Sequence, residues 1–336
     1  MRSWIFAIQT IKNDQIREPQ PMKHDFSRVH PDLRQIAQRT PAFLFSHKYL
    51  WLTKFLASLI PAPRSPEDIV IQNRFIPSDD QEEKIRVRFY RPDSVNAPTP
   101  ALIWMHGGGY VIGKPEMDDW RCVGYAREAG ITVVSVDYRL APKHPFPAGL
   151  MDCHAALTWV DSHSQELGVD PARIAVGGAS AGGGLAASLA QMALDRQEVK
   201  PVFQLLVYPM LDDRSALRED LDDSDNITWN QENNRYGWES YLGKKCGSKA
   251  LPAYSVPARR ADLSGLPPAW TGVGSLDIFH DEDVDYGNRL RACGVDCTSH
   301  LVSGAFHGFD VFDPEIGIVR EFWNSQLIAL KNNLLA

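Results

Sequence analysis

This 336-residue sequence predicts an α/β fold, a mostly parallel central sheet covered on both faces by helices. Three observations carry that expectation. From about residue 69 short apolar runs alternate with helix-length stretches, the pattern of strands connected by covering helices. One junction, Gly177-Gly178-Ala179-Ser180-Ala181-Gly182, is a run of tiny residues between a short strand and an Ala- and Leu-rich helix. The composition, 44% hydrophobic and 23% charged, is that of a compact globular chain.

Taken in order, residues 1–68 are helix-prone and broken by prolines at 19, 21, 31, 41, 61, 63 and 66. Phe45, Tyr49, Leu52, Leu56 and Leu59 form one stripe of an amphipathic helix, with Lys48 and Lys54 off it. A helix packed on a core fits that stripe, and a lid or membrane-surface helix stays open. Ile69–Ile76 and Lys84–Arg91 then read as an antiparallel pair at the sheet's edge. The strands Ala101–Met105, Ile131–Val136, Arg173–Val176, Val202–Tyr208, Ala269–Val273 and Val295–Val302 follow. Helices such as Leu150–Leu167 and Ala181–Arg196 separate most of them.

Residues 211–250 interrupt this rhythm. Asp212, Asp213, Glu219, Asp220, Asp222, Asp223 and Asp225 sit close to only Arg214 and Arg218, and Trp229, Tyr236, Trp238 and Tyr241 follow. So long an excursion reads as an inserted cap whose aromatics line a pocket, rather than a plain surface loop.

The chemistry concentrates in three places. Gly178-Ala179-Ser180-Ala181-Gly182 is G-x-S-x-G in the strand–turn–helix setting of a nucleophile elbow, where only tiny neighbours let strand and helix approach. Ser180 then heads a helix, where backbone N–H groups and the dipole favour negative charge. His106-Gly107-Gly108-Gly109 directly follows a strand, and three glycines leave backbone N–H groups bare to face an oxyanion. The spacing does not suit a dinucleotide fingerprint, and His106 reads as orienting the loop rather than acting as a base.

Of ten histidines, only His280, His300 and His307 follow Ser180. His307 lies in Gly304-Ala305-Phe306-His307-Gly308-Phe309, a small-residue turn after the last strand, which is where a base belongs. His300 falls inside a strand and His280 at a helix start. Asp277 follows the strand ending near Gly274 and is the preferred acid, with Asp281 second. Asp281, Glu282, Asp283 and Asp285 together read as first-turn carboxylates complementing a helix dipole.

These motifs, with Asp137-Tyr138-Arg139-Leu140-Ala141-Pro142 and Pro145-Phe146-Pro147-Ala148, resemble the hormone-sensitive-lipase-like esterases of the α/β-hydrolase fold across about residues 70–335. The resemblance implies a carboxylic ester hydrolase with Ser180, Asp277 and His307 as triad. It implies Gly108, Gly109 and Ala181 as oxyanion donors, and a cap built from 1–68 and 211–250 on a catalytic body spanning 69–336. It calls for no metal or organic cofactor, and members are often dimers, which leaves a homodimer open. The sequence departs from the family pattern at Ala179, where many relatives carry Asp, at Lys143, where Glu is usual, and at Ile278-Phe279, where Pro-Leu is common. The expected substrate is a small ester with a short- to medium-chain acyl group. An amidase on the same triad and a catalytically silent ligand receptor are the alternatives, though such a receptor commonly lacks the histidine.

Other classes fit poorly. The net charge of −7 offers no basic footprint for nucleic acid. The mean hydropathy is −0.27, and no uncharged apolar run approaches the ~20 residues a spanning helix needs, so membrane insertion is not expected. The apolar stretch Trp4–Ile8 is too short for a signal peptide. Five scattered cysteines without a CxxC pair fit reduced thiols and a cytoplasmic protein.

Overall fold

The structure is a computed structural model that describes residues 26–40, 66–78, 84–95, 98–221 and 227–335. The stripe Phe45–Leu59, most of segment 1–68, and Asp222, Asp223 and Asp225 lie outside the described residues.

A single eight-stranded sheet organises the described chain. Its strands are β1 (Ile69–Pro77), β2 (Lys84–Pro92), β3 (Thr99–Met105), β4 (Thr132–Val136), β5 (Val169–Ala179), β6 (Gln204–Val207), β7 (Ala269–Gly274) and β8 (Cys297–Val302). They lie in the order β1-β2-β4-β3-β5-β6-β7-β8. β1–β2 and β2–β4 pair antiparallel, and all later pairs are parallel. The antiparallel hairpin therefore stands at the edge of the sheet, where the sequence places it. β5 begins earlier than its apolar run, because its first half is polar and Asp170 binds Arg173 and caps Ala172 there.

Strand alternation divides the interior in two. On β3, Ala101, Ile103 and Met105 join one cluster with α3 (Ala148–Ser162), α4 (Ala181–Arg196) and α6 (His280–Ala292). Leu102 and Trp104 face a second cluster with α1 (Pro31–Arg39), α2 (Asp119–Ala129) and α7 (Gly317–Leu334). Helices thus cover both faces, and the loops at the carboxyl ends of the parallel strands are left to carry chemistry. Helix α5 (Gln231–Leu242) belongs to the 211–250 excursion and sends Trp238, Tyr241 and Leu242 into the first cluster. Among the described residues no helix is long and apolar enough to cross a membrane.

Candidate active site

The elbow after β5 forms as its small residues require. Ser180 has φ +57° and ψ −122°, a conformation costly for any side-chain-bearing residue. The surrounding hydrogen bonds over-determine it: its N–H donates to Val207 at 2.9 Å, and its carbonyl accepts from Met210 at 2.9 Å and Gly184 at 3.1 Å. A β-carbon on Gly182 would lie 2.0 Å from the Met105 carbonyl oxygen, so the helix can approach β3 only without one.

Two further loops converge on this serine. The Ser180 hydroxyl donates to His307 Nε2 at 2.9 Å, and His307 Nδ1 donates to Asp277 Oδ2 at 2.8 Å. The second oxygen of Asp277 accepts from the Phe279 N–H at 2.9 Å, which fixes the carboxylate. Its side chain is wholly buried and that of His307 nearly so. The imidazole is held edge-on by Tyr208 and Phe279, with ring centroids 4.8 and 5.1 Å away. The rivals are elsewhere engaged: Asp281 pairs with Arg218 and His280, and His300 packs beside Trp270 and Phe322.

The glycine loop after β3 runs against the elbow, Gly107 lying beside Ser180. His106 is fully buried, stacked on Tyr138 at 4.3 Å, and its Nδ1 donates to the Gly107 carbonyl at 2.8 Å. Burial lowers its pKa, which keeps the ring neutral. The Gly108 carbonyl in turn accepts from the N–H groups of Val111 and Ile112. A planar trans peptide points its N–H opposite its carbonyl, so these bonds aim the Gly108 and Gly109 N–H groups away from His106 and from the 111–112 turn. Ala181 opens α4, and its N–H is among the four that no helix satisfies internally.

Sequence reasoning missed several features here. Thr228 Oγ1 donates to the His307 carbonyl at 2.5 Å, tying the excursion to the histidine turn. Glu282 and Asp283 stand with Asp281 in the first turn of α6, where the dipole reading placed them, but their carboxyl groups also turn inward, which that reading did not foresee. The helix start faces inward at these two positions, and burial pushes both carboxyl pKa values well up. Glu282 Oε1 accepts from the N–H groups of Leu211 and Asp212, while both Asp283 oxygens are buried with no hydrogen-bond partner among the described residues. Among the described residues no group of three His, Cys, Asp or Glu side chains is arranged to hold a metal ion.

A strained serine at a strand–helix turn, hydrogen-bonded to a histidine that is hydrogen-bonded to a buried aspartate, defines a serine hydrolase. The chain belongs to the α/β-hydrolase-fold family, whose model matches residues 102–311, and within it to the hormone-sensitive-lipase-like esterases. It is 36% identical over 278 residues to the esterase LipI of Mycobacterium tuberculosis, covering 80% of this chain and 84% of that one. It is 34% identical over 237 residues to an ethyl acetate hydrolase of Pseudomonas putida, covering 66% and 70%. Among solved structures, a bacterial heroin esterase superposes with a TM-score of 0.85 at 35% identity, covering 92% of this chain and 99% of the other. The protein is a carboxylic ester hydrolase.

Proposed function

We propose that Ser180, His307 and Asp277 are the catalytic triad of this hydrolase and that Gly108, Gly109 and Ala181 form its oxyanion hole. The observation that carries the reading is the unbroken hydrogen-bond chain from Ser180 through His307 to Asp277. His307 takes the serine proton as Oγ attacks the ester carbonyl, and Asp277 holds the imidazole in the required tautomer. The oxyanion accepts from the three backbone N–H groups. His307 then protonates the departing alcohol, and water repeats the sequence on the acyl-enzyme.

The substrate in this reading is an ester with a short- to medium-chain acyl group, bound under a cap formed by segment 1–68 and residues 211–250 over the body 69–336. Support for the cap comes from Trp229 and Gly237, both packed on Gly109, and from the Thr228 bond to His307. The His30 N–H also donates to the Gly304 carbonyl, at the base of the histidine turn. The five free cysteines favour a reducing compartment, so the cytoplasm is part of the proposal, as is a homodimer.

The test is kinetic. Ser180→Ala should lower kcat by roughly 10⁴–10⁶-fold with the fold intact. A folded variant keeping more than about a tenth of the rate would overturn the assignment.

A further inference from the structure

We propose that Arg121 and Asp310 are positioning residues for the reaction, acting on His307 through Tyr208. The Arg121 side chain leaves α2 with no exposure to solvent. Its Nη2 donates to Asp310 Oδ2 at 2.9 Å and to the Tyr208 hydroxyl at 3.0 Å. The Tyr208 hydroxyl donates to the other Asp310 oxygen at 2.8 Å, closing a triangle of hydrogen bonds. Nη1 reaches Gln326 on α7, and the guanidinium lies over Trp120 and Trp104.

Two corners of this triangle touch the active site. Asp310 stands three residues past His307 in the same turn, and the Tyr208 ring packs edge-on to the imidazole. Tyr208 also has φ +34°, a conformation that must be held in place by its surroundings. Stability gives little reason for so dry an ion pair, because apolar replacements of buried pairs are often neutral or stabilising. Geometry gives a better one. His307 must keep Nε2 on Ser180 and Nδ1 on Asp277 while charge develops on its ring, and neither Tyr208 nor the turn can shift without opening the triangle. Arg121 thereby couples the helix after the oxyanion loop to the histidine turn.

The inference rests on His307 being the general base, so the experiment measures both. Arg121→Met and Asp310→Asn should each lower kcat about tenfold or more with KM within about twofold, since small misplacements of a catalytic group are costly in rate. The double variant should cost no more than the worse single one, and Arg121→Lys should recover part of the loss. Tyr208→Phe, which removes one oxygen and keeps the ring, decides the matter if the others do not fold: kcat should fall at least about threefold with KM unchanged. The downfield proton resonance of His307 Nδ1 should shift in every folded variant. Folded variants with wild-type kcat, a loss confined to KM, or an unmoved resonance would overturn the positioning role. Ser180→Ala and His307→Ala are run alongside. If they retain activity the triad itself fails, whereas if they abolish it and the Tyr208 set is silent, only the positioning role falls.

Discussion

Trp229 lies so close against Gly109 that a β-carbon on the glycine would sit 2.1 Å from the indole Cη2. Trp229 of the 211–250 excursion and the proposed oxyanion loop therefore share one surface. Gly109→Ala must displace one of them, and at φ +58° the alanine is also strained. The expected result is a loss of about 10²-fold in kcat/KM, the scale of losing one oxyanion donor. Adding Trp229→Ala should restore part of it. Gly108→Ala differs, because its β-carbon would meet the Ile112 backbone oxygen at 2.1 Å, which no side-chain truncation relieves. Its defect should persist in the Trp229→Ala background. Equal rescue of both variants, or a Gly109→Ala enzyme with wild-type rate, would contradict this packing.

The proposed acyl site under a cap predicts a length profile. Each added buried methylene contributes roughly 0.8 kcal/mol to binding, so kcat/KM should climb from acetyl to butyryl or hexanoyl esters. It should fall steeply by about twelve carbons, when the steric cost of the filled pocket outweighs that gain. The measurement is kcat/KM on p-nitrophenyl esters of increasing length, with and without emulsified triglyceride. A plateau reaching palmitate, or a jump in rate on emulsion, would point to a lipase open to an interface.

Asp283 predicts a pH-dependent instability. Burial, then the charges of Glu282 and Asp277, raise its folded-state pKa well above the ordinary carboxyl value. The folded chain therefore holds a proton that the unfolded chain releases near pH 4. Its favourable contribution is complete below that pH and is lost as pH rises toward the folded pKa, at about 1.4 kcal/mol per pH unit. Asparagine shares the burial cost but cannot ionise. The Tm of Asp283→Asn relative to wild type should thus improve between pH 4.5 and pH 8 by about several degrees. A difference that stays constant across that range would show Asp283 ionised in the folded protein.

Much of this was legible in the sequence, for identifiable reasons. Parallel strands buried on both faces leave continuous apolar runs such as Ala101–Met105, and the elbow needs tiny residues at fixed offsets, so both announce themselves locally. Asp277 and His307 could be placed because each sits on a turn just past a strand. The rest depended on long-range geometry. Glu282 and Asp283 carry the same letters as surface acids, and nothing nearby says that their side of α6 faces inward. Arg121, Tyr208 and Asp310 lie far apart in the chain and meet only after the sheet forms. The Thr228 bond to the His307 carbonyl involves a backbone acceptor, which no residue pattern encodes. β5 outran its apolar run because its polar half is held by Asp170 and Arg173.

Covalent labelling tests the central claim, that His307 and Asp277 activate Ser180 as nucleophile, most directly. A fluorophosphonate reacts with an activated serine and leaves a stable adduct readable by intact mass and peptide mapping. The wild-type protein should take up one equivalent on Ser180 with parallel loss of esterase activity. Ser180→Ala should take up none, and His307→Ala should label slower by at least about 10²-fold. Stoichiometric labelling of Ser180→Ala at another residue, or a His307→Ala protein that labels at the wild-type rate, would contradict the account.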